Sequence, residues 1–132
     1  MSYNDKCINT NNMATICYKH KNFDSFINRC YYSFFQKVLH ILDDEGIKLS
    51  NDEKYGSHIN TFNVFLTLMQ RRRKISPRDV IKVRSDFEDF KKLRTLADYN
   101  SIILDKKKAD EAKNLSKKLR HKLKINDCLI VK

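Results

Sequence analysis

The chain is poor in the residues that make tight turns. Its 132 residues include two glycines and one proline. Sandwiches and barrels need turn chemistry every few residues, so this scarcity excludes them and points to long helices. Gly46 and Gly56 lie ten apart, which excludes a glycine-rich phosphate loop. No apolar run approaches the roughly 18 residues of a membrane span, and residues 1–10 are polar and unlike a secretion signal. The expected compartment is therefore the cytoplasm, with no membrane partner. The four cysteines, Cys7, Cys17, Cys30 and Cys128, form no CxxC pair and lack the density of a disulfide framework. Cys17 and His20 offer two metal ligands, but no second pair follows at a suitable spacing, so neither metal nor cofactor is expected. No Ser-His-Asp arrangement can be drawn from the spacing, and Asp43-Asp44-Glu45 precedes a glycine and reads as solvated surface.

What remains is a chain that suits one domain with one core, its residues 41% hydrophobic. Residues 1–11, polar and rich in asparagine, are expected to be flexible. A short helix is expected over about 12–20, with Met13, Ile16 and Cys17 on one face. A stronger helix is predicted from about Asn22 to Glu45. There Phe23, Phe26, Ile27, Cys30, Phe34, Val38, Ile41 and Leu42 recur at threes and fours, with Tyr31, Phe35 and Leu39 as a second stripe. So wide an apolar arc belongs to a helix that is central in a bundle or shared with a partner chain. Gly46 is a plausible stop. After a polar loop over 47–57, Ile59, Phe62, Phe65, Leu66 and Met69 predict a helix from His58 to about Gln70. Ser76-Pro77-Arg78-Asp79 is a helix start, and Val80, Val83, Phe87, Phe90, Leu93 and Ala97 carry that helix to about Ala97. Asp105 caps a last helix with Ala109, Ala112, Leu115, Leu119 and Leu123 on its apolar side. The fold class is all-α: an antiparallel four-helix bundle over 12–124 with a short extra N-terminal helix, then an apolar tail over 125–132.

Charge is unevenly placed. Residues 1–70 hold 7 basic and 7 acidic groups; residues 71–132 hold 20 and 9 and so carry the whole formal net charge of +11. A field that one-sided favours an anionic partner. Arg71, Arg72 and Arg73 can contact phosphates bidentately. On the last helix Lys106, Lys113, Lys117, Arg120 and Lys124 align as a basic stripe at roughly 120° from the apolar one. Such contacts bind any nucleic-acid backbone and read no sequence; the alternative is a solvated lysine face. Tyr31, Tyr32, Phe34 and Phe35 can stack on unpaired bases or fill a core or interface.

Arg94-Thr95-Leu96-Ala97-Asp98-Tyr99 is the remaining constellation. A spacing of four lets Arg94 and Asp98 pair on one helix face. That pair can be purely structural or part of a site. Together with Tyr31-Tyr32 upstream, this stretch resembles the HEPN superfamily of small helical domains, in a branch with an arginine followed by Ala-Asp-Tyr. The resemblance covers roughly 12–124. It implies a homodimeric, RNA-directed toxin or defence effector, in nuclease members a metal-independent endoribonuclease whose arginine holds the scissile phosphate. Arg94, Asp98 and Tyr99 are then the candidate catalytic residues. The resemblance also implies a partner of the nucleotidyltransferase antitoxin kind that modifies a tyrosine near the motif, here Tyr99. The chain departs from the commoner pattern by placing Tyr99 where a histidine usually stands. A phenol with a pKa near 10 is a poor base at neutral pH. None of His20, His40, His58 and His121 falls at that position. The alternative reading is a non-catalytic helical module that binds nucleic acid or an acidic protein through 71–74 and 106–124.

Overall fold

In a computed structural model, residues 3–47, 58–98 and 104–125 are described. Regular structure among them is entirely α-helical: α1 (Tyr3–Lys19), α2 (Phe23–Asp44), α3 (His58–Arg71), α4 (Pro77–Asp98) and α5 (Lys106–Lys122). The apolar tail lies outside the described residues from 126 onward. No helix among the described residues is long and apolar enough to cross a membrane.

Helix starts and stops follow local chemistry. The Asp105 carboxylate accepts from the Lys108 backbone N–H, and Ser76 Oγ accepts from the Asp79 N–H at 3.2 Å, so each satisfies a donor the helix itself leaves open. Gly46, at φ +73°, closes α2: its N–H donates to Asp43 and that of Ile47 to Leu42. This is the Schellman pattern, which needs a left-handed residue just past the helix. The same two bonds close α1, α3 and α5, but with Lys21 (φ 60°), Arg73 (φ 54°) and Lys124 (φ 55°) in the glycine's place.

α2 is the central element and packs against all four others. Its wide apolar arc is consumed within the chain: Phe26, Ile27, Cys30, Tyr31, Phe34, Phe35, Val38 and Leu42 are all buried. α3 and α4 meet it through Phe62, which stacks on Phe87 at 4.0 Å and tilts against Phe34. Deleting such a ring from a packed core costs about 3–5 kcal/mol.

Two expectations are corrected. The N-terminal helix starts earlier than the expected residue 12: α1 begins at Tyr3 and buries Cys7, Asn11, Ala14 and Cys17, while Met13 and Ile16 face solvent. Hydrogen bonds hold its polar residues. Thr10 Oγ1 donates to Gln36 Oε1 at 2.8 Å, and Asn11 accepts from Ser33 Oγ. An apolar-periodicity reading misses a helix docked this way. Strict antiparallel alternation also fails at α3. Contacts pair 28 with 98, 31 with 94 and 34 with 87, so α4 runs against α2. Ile59 faces 91–96, Phe62 meets Phe87 and Asn63 accepts from Arg84, so α3 runs against α4 and hence along α2, and 30–112 and 33–120 run α5 along α2. Eleven residues, 47–57, reach up to ~35 Å when extended, enough to return the chain the ~17 Å from Leu42 to the level of Tyr31.

Candidate functional site

The antiparallel pairing of α2 and α4 brings the two aromatic and charged motifs together. Arg94 projects from α4 across the faces of both tyrosines on α2, its guanidinium carbon 5.3 Å from the Tyr31 ring centre and 5.6 Å from that of Tyr32. Its Nη1 donates to Asp98 Oδ2 at 2.9 Å, one helical turn on. Asp98 Oδ1 in turn accepts from Asn28 Nδ2 at 2.5 Å. The Arg94 side chain keeps 13% of its surface exposed, and its Nε is buried without a hydrogen-bond partner among the described residues. Burial works against its charge, but the bond to Asp98 and the neighbouring Tyr32 and Tyr31 hydroxyls outweigh it and hold the guanidinium above its ordinary pKa. The arginine is thus fixed by an aromatic cradle and one carboxylate. Tyr99 lies outside the described residues.

A histidine enters this cluster from α3. His58 Nδ1 lies 2.7 Å from Tyr31 Oη, and its ring stacks on Phe35 with centres 4.0 Å apart. Burial first, then the positive charges of Arg94 and Lys91, push its pKa down to about 4, so it is neutral at pH 7. Burial likewise raises the Tyr31 pKa, only partly opposed by Arg94, so the phenol keeps its proton. The Arg94 charge draws the phenol oxygen's lone pairs, which leaves the O–H for His58 Nδ1. The tautomer assigned on that basis carries its proton on Nε2. Nothing in the sequence marked His58 or Asn28. They sit 27 and 70 residues from their partners, and only the pairing of three helices joins them.

The candidate nucleic-acid residues divide. Arg71, Arg72 and Arg73 are exposed at the end of α3, with Arg72 paired to Glu45. Lys124 is exposed, Lys113 and Lys117 are half-buried, and Lys113 caps the Tyr18 ring at 5.2 Å. Arg120 is corrected from the basic stripe to the core. It is 3% exposed, donates from Nε to Ser116 Oγ at 3.1 Å and from Nη2 to Ser33 Oγ at 3.4 Å, and lies over Phe34. The cause is α1, whose Cys7 and Asn11 meet the same Ser33 and extend the buried arc of α5 past the limit set by its own apolar residues. Among the described residues no three His, Cys, Asp or Glu side chains gather where they could hold a metal ion.

A groove of about 640 Å³ runs between α3 and α4, lined by Ile59, Glu88, Lys91, Lys92, Thr95 and Leu96. Its apolar members are surface residues, Ile59 at 36% and Leu96 at 44% exposure. No family model, curated protein or solved structure matches the chain.

Proposed function

We propose that the chain is a HEPN-like four-helix bundle, α2 to α5 with α1 packed outside, acting as an RNA-directed effector that cleaves RNA without a metal. In this reading Arg94 holds a backbone phosphate, Asp98 sets its position, and Tyr99, next to Asp98 in sequence, is the residue a nucleotidyltransferase partner would modify. The observation that carries it is the Arg94 cradle. A basic side chain 13% exposed, stacked on two tyrosines and aimed by a carboxylate, is organised far beyond what an exposed i, i+4 pair needs. The basic excess of residues 71–132 supports an anionic partner. The groove between α3 and α4, with exposed Ile59 and Leu96, offers an apolar surface for the homodimer of this reading.

The test is cleavage of labelled total RNA and tRNA by purified protein in EDTA. Cleavage by the wild type, lost in Arg94→Ala while the fold persists, supports the reading. If the folded wild type does not cleave, the non-catalytic module takes its place. One observation favours that second reading: the only histidine at the Arg94 cluster, His58, already has Nδ1 committed to Tyr31. Charge reversal at Lys113 and Lys117 would then weaken nucleic-acid or acidic-protein binding more than Arg94→Ala does.

A further inference from the structure

A recess of about 340 Å³ opens on the other side of Tyr32 from the bulk of α4. It is lined by Tyr3 and Lys6 of α1, Tyr32, Gln36 and Leu39 of α2, and His58 of α3. We propose that this recess takes one unpaired base of a single-stranded RNA whose backbone runs past Tyr32 to Arg94. The inference deepens the RNA-directed reading and rests on it.

Three features of the recess suit a base. Its volume is at the small end for ligand pockets, too tight for a peptide side and its backbone but open enough for a planar ring. Its lining is rich in rings, Tyr3, Tyr32, Phe35 and His58, and stacking on aromatic side chains is how proteins hold unpaired bases without reading a duplex. Its polar atoms include several donors. Gln36 accepts from Thr10 through Oε1 and has two amide N–H groups to donate. His58 offers Nε2–H, because Nδ1 is occupied by Tyr31. Donors of this kind match a base edge that carries carbonyl oxygens, as uracil does. The recess also has cations at both ends. Lys6 lies 5.6 Å over the Tyr3 ring at the outer lip, and Arg94 covers the Tyr32 ring. Tyr32 therefore separates a place for a base from a place for a phosphate, and one nucleotide of a strand can occupy both. Only the docking of α1 creates the outer wall.

The test measures binding of a fluorescently labelled uridine octamer by anisotropy, at fixed moderate salt, to wild type, Tyr3→Ala, Tyr3→Phe, Gln36→Ala and Arg94→Ala. Circular dichroism confirms that each variant is folded. Tyr3→Ala is expected to weaken binding about 5- to 100-fold, the range for loss of one base stack, and Tyr3→Phe to restore it. Gln36→Ala and Arg94→Ala also weaken it. If Arg94→Ala weakens binding while Tyr3→Ala and Gln36→Ala bind like wild type, the recess assignment is overturned and the RNA-directed reading stands. If wild type does not bind the octamer at all, the RNA-directed reading falls and the recess assignment falls with it. If stoichiometric uridine monophosphate displaces the octamer completely, a strand is the wrong source and the recess belongs to a free nucleotide.

Discussion

Acidification should destabilise the protein through His58, and the size of the effect follows from its surroundings. The imidazole is held neutral by burial and by Arg94 and Lys91, with its pKa lowered from 6.5 to about 4. The unfolded chain takes up a proton near pH 6.5; the folded one resists until about pH 4. Below pH 6.5 the unfolded state therefore binds more protons, and stability falls as pH falls through this window. The stabilising contribution is fully present above pH 6.5 and is lost toward pH 4. At pH 5 the full shift corresponds to about 2 kcal/mol; the partly exposed ring is screened by solvent, which reduces this to ~1 kcal/mol. His58→Gln removes the titration but keeps a carbonyl able to accept from Tyr31. Urea unfolding followed by far-UV circular dichroism, at pH 7 and pH 5 for both proteins, isolates the term because every other titrating group cancels in the comparison. The wild type should lose ~1 kcal/mol more than the variant on going to pH 5. Equal losses in the two proteins would refute the electrostatic account of His58.

Three further outcomes follow from buried or strained positions. Arg120→Ala should cost about 2–4 kcal/mol in urea unfolding, through a cavity at the junction of α1, α2 and α5 and the lost bonds to Ser33 and Ser116, whereas Lys124→Ala should stay within ~0.5 kcal/mol. Lys21→Gly should raise stability by about 0.5–1 kcal/mol, seen as a higher thermal midpoint, because it relieves a left-handed backbone at φ 60°. Cys30 is fully buried and its thiol pKa is pushed up to about 12, chiefly by burial, so alkylation at pH 8 should reach it only after unfolding, as read by mass spectrometry of the labelled peptide.

Helix existence was legible because long apolar stripes on α2, α3, α4 and α5 repeat at helical spacing, and the caps at Ser76, Asp105 and Gly46 carry their own chemistry. α1 was misjudged for the same reason in reverse. Its buried side chains are Cys7, Asn11, Ala14 and Cys17, small or polar residues that make no hydrophobic signal. The pairing of Arg94 with Asp98 was open to a spacing argument, since it lies within one helix. The aromatic cradle was not, since it depends on α2 and α4 running in opposite directions. Arg120 was misread because a helical wheel assigns faces from one helix alone, and a neighbouring helix can bury an adjacent strip.

The Arg94–Asp98 pair can be asked directly whether it serves a site. A guanidinium has five N–H donors. Here one is committed to Asp98, Nε is buried without a partner among the described residues, and the plane lies over Tyr31 and Tyr32. A phosphate reaching this arginine must share or displace the Asp98 carboxylate and face its negative charge. Asp98→Asn removes that charge and keeps one oxygen, which can accept from Arg94 while the bond to Asn28 is lost. The pair is partly exposed, and a helical pair of this kind contributes ~0.5–1 kcal/mol, so the variant should lose about that much stability. If Arg94 holds phosphate, the same energy no longer opposes RNA, and the dissociation constant for a labelled octamer should fall about 2- to 5-fold at fixed salt. A purely structural pair predicts the stability loss with unchanged RNA binding, and that result would remove Arg94 from the phosphate-binding role.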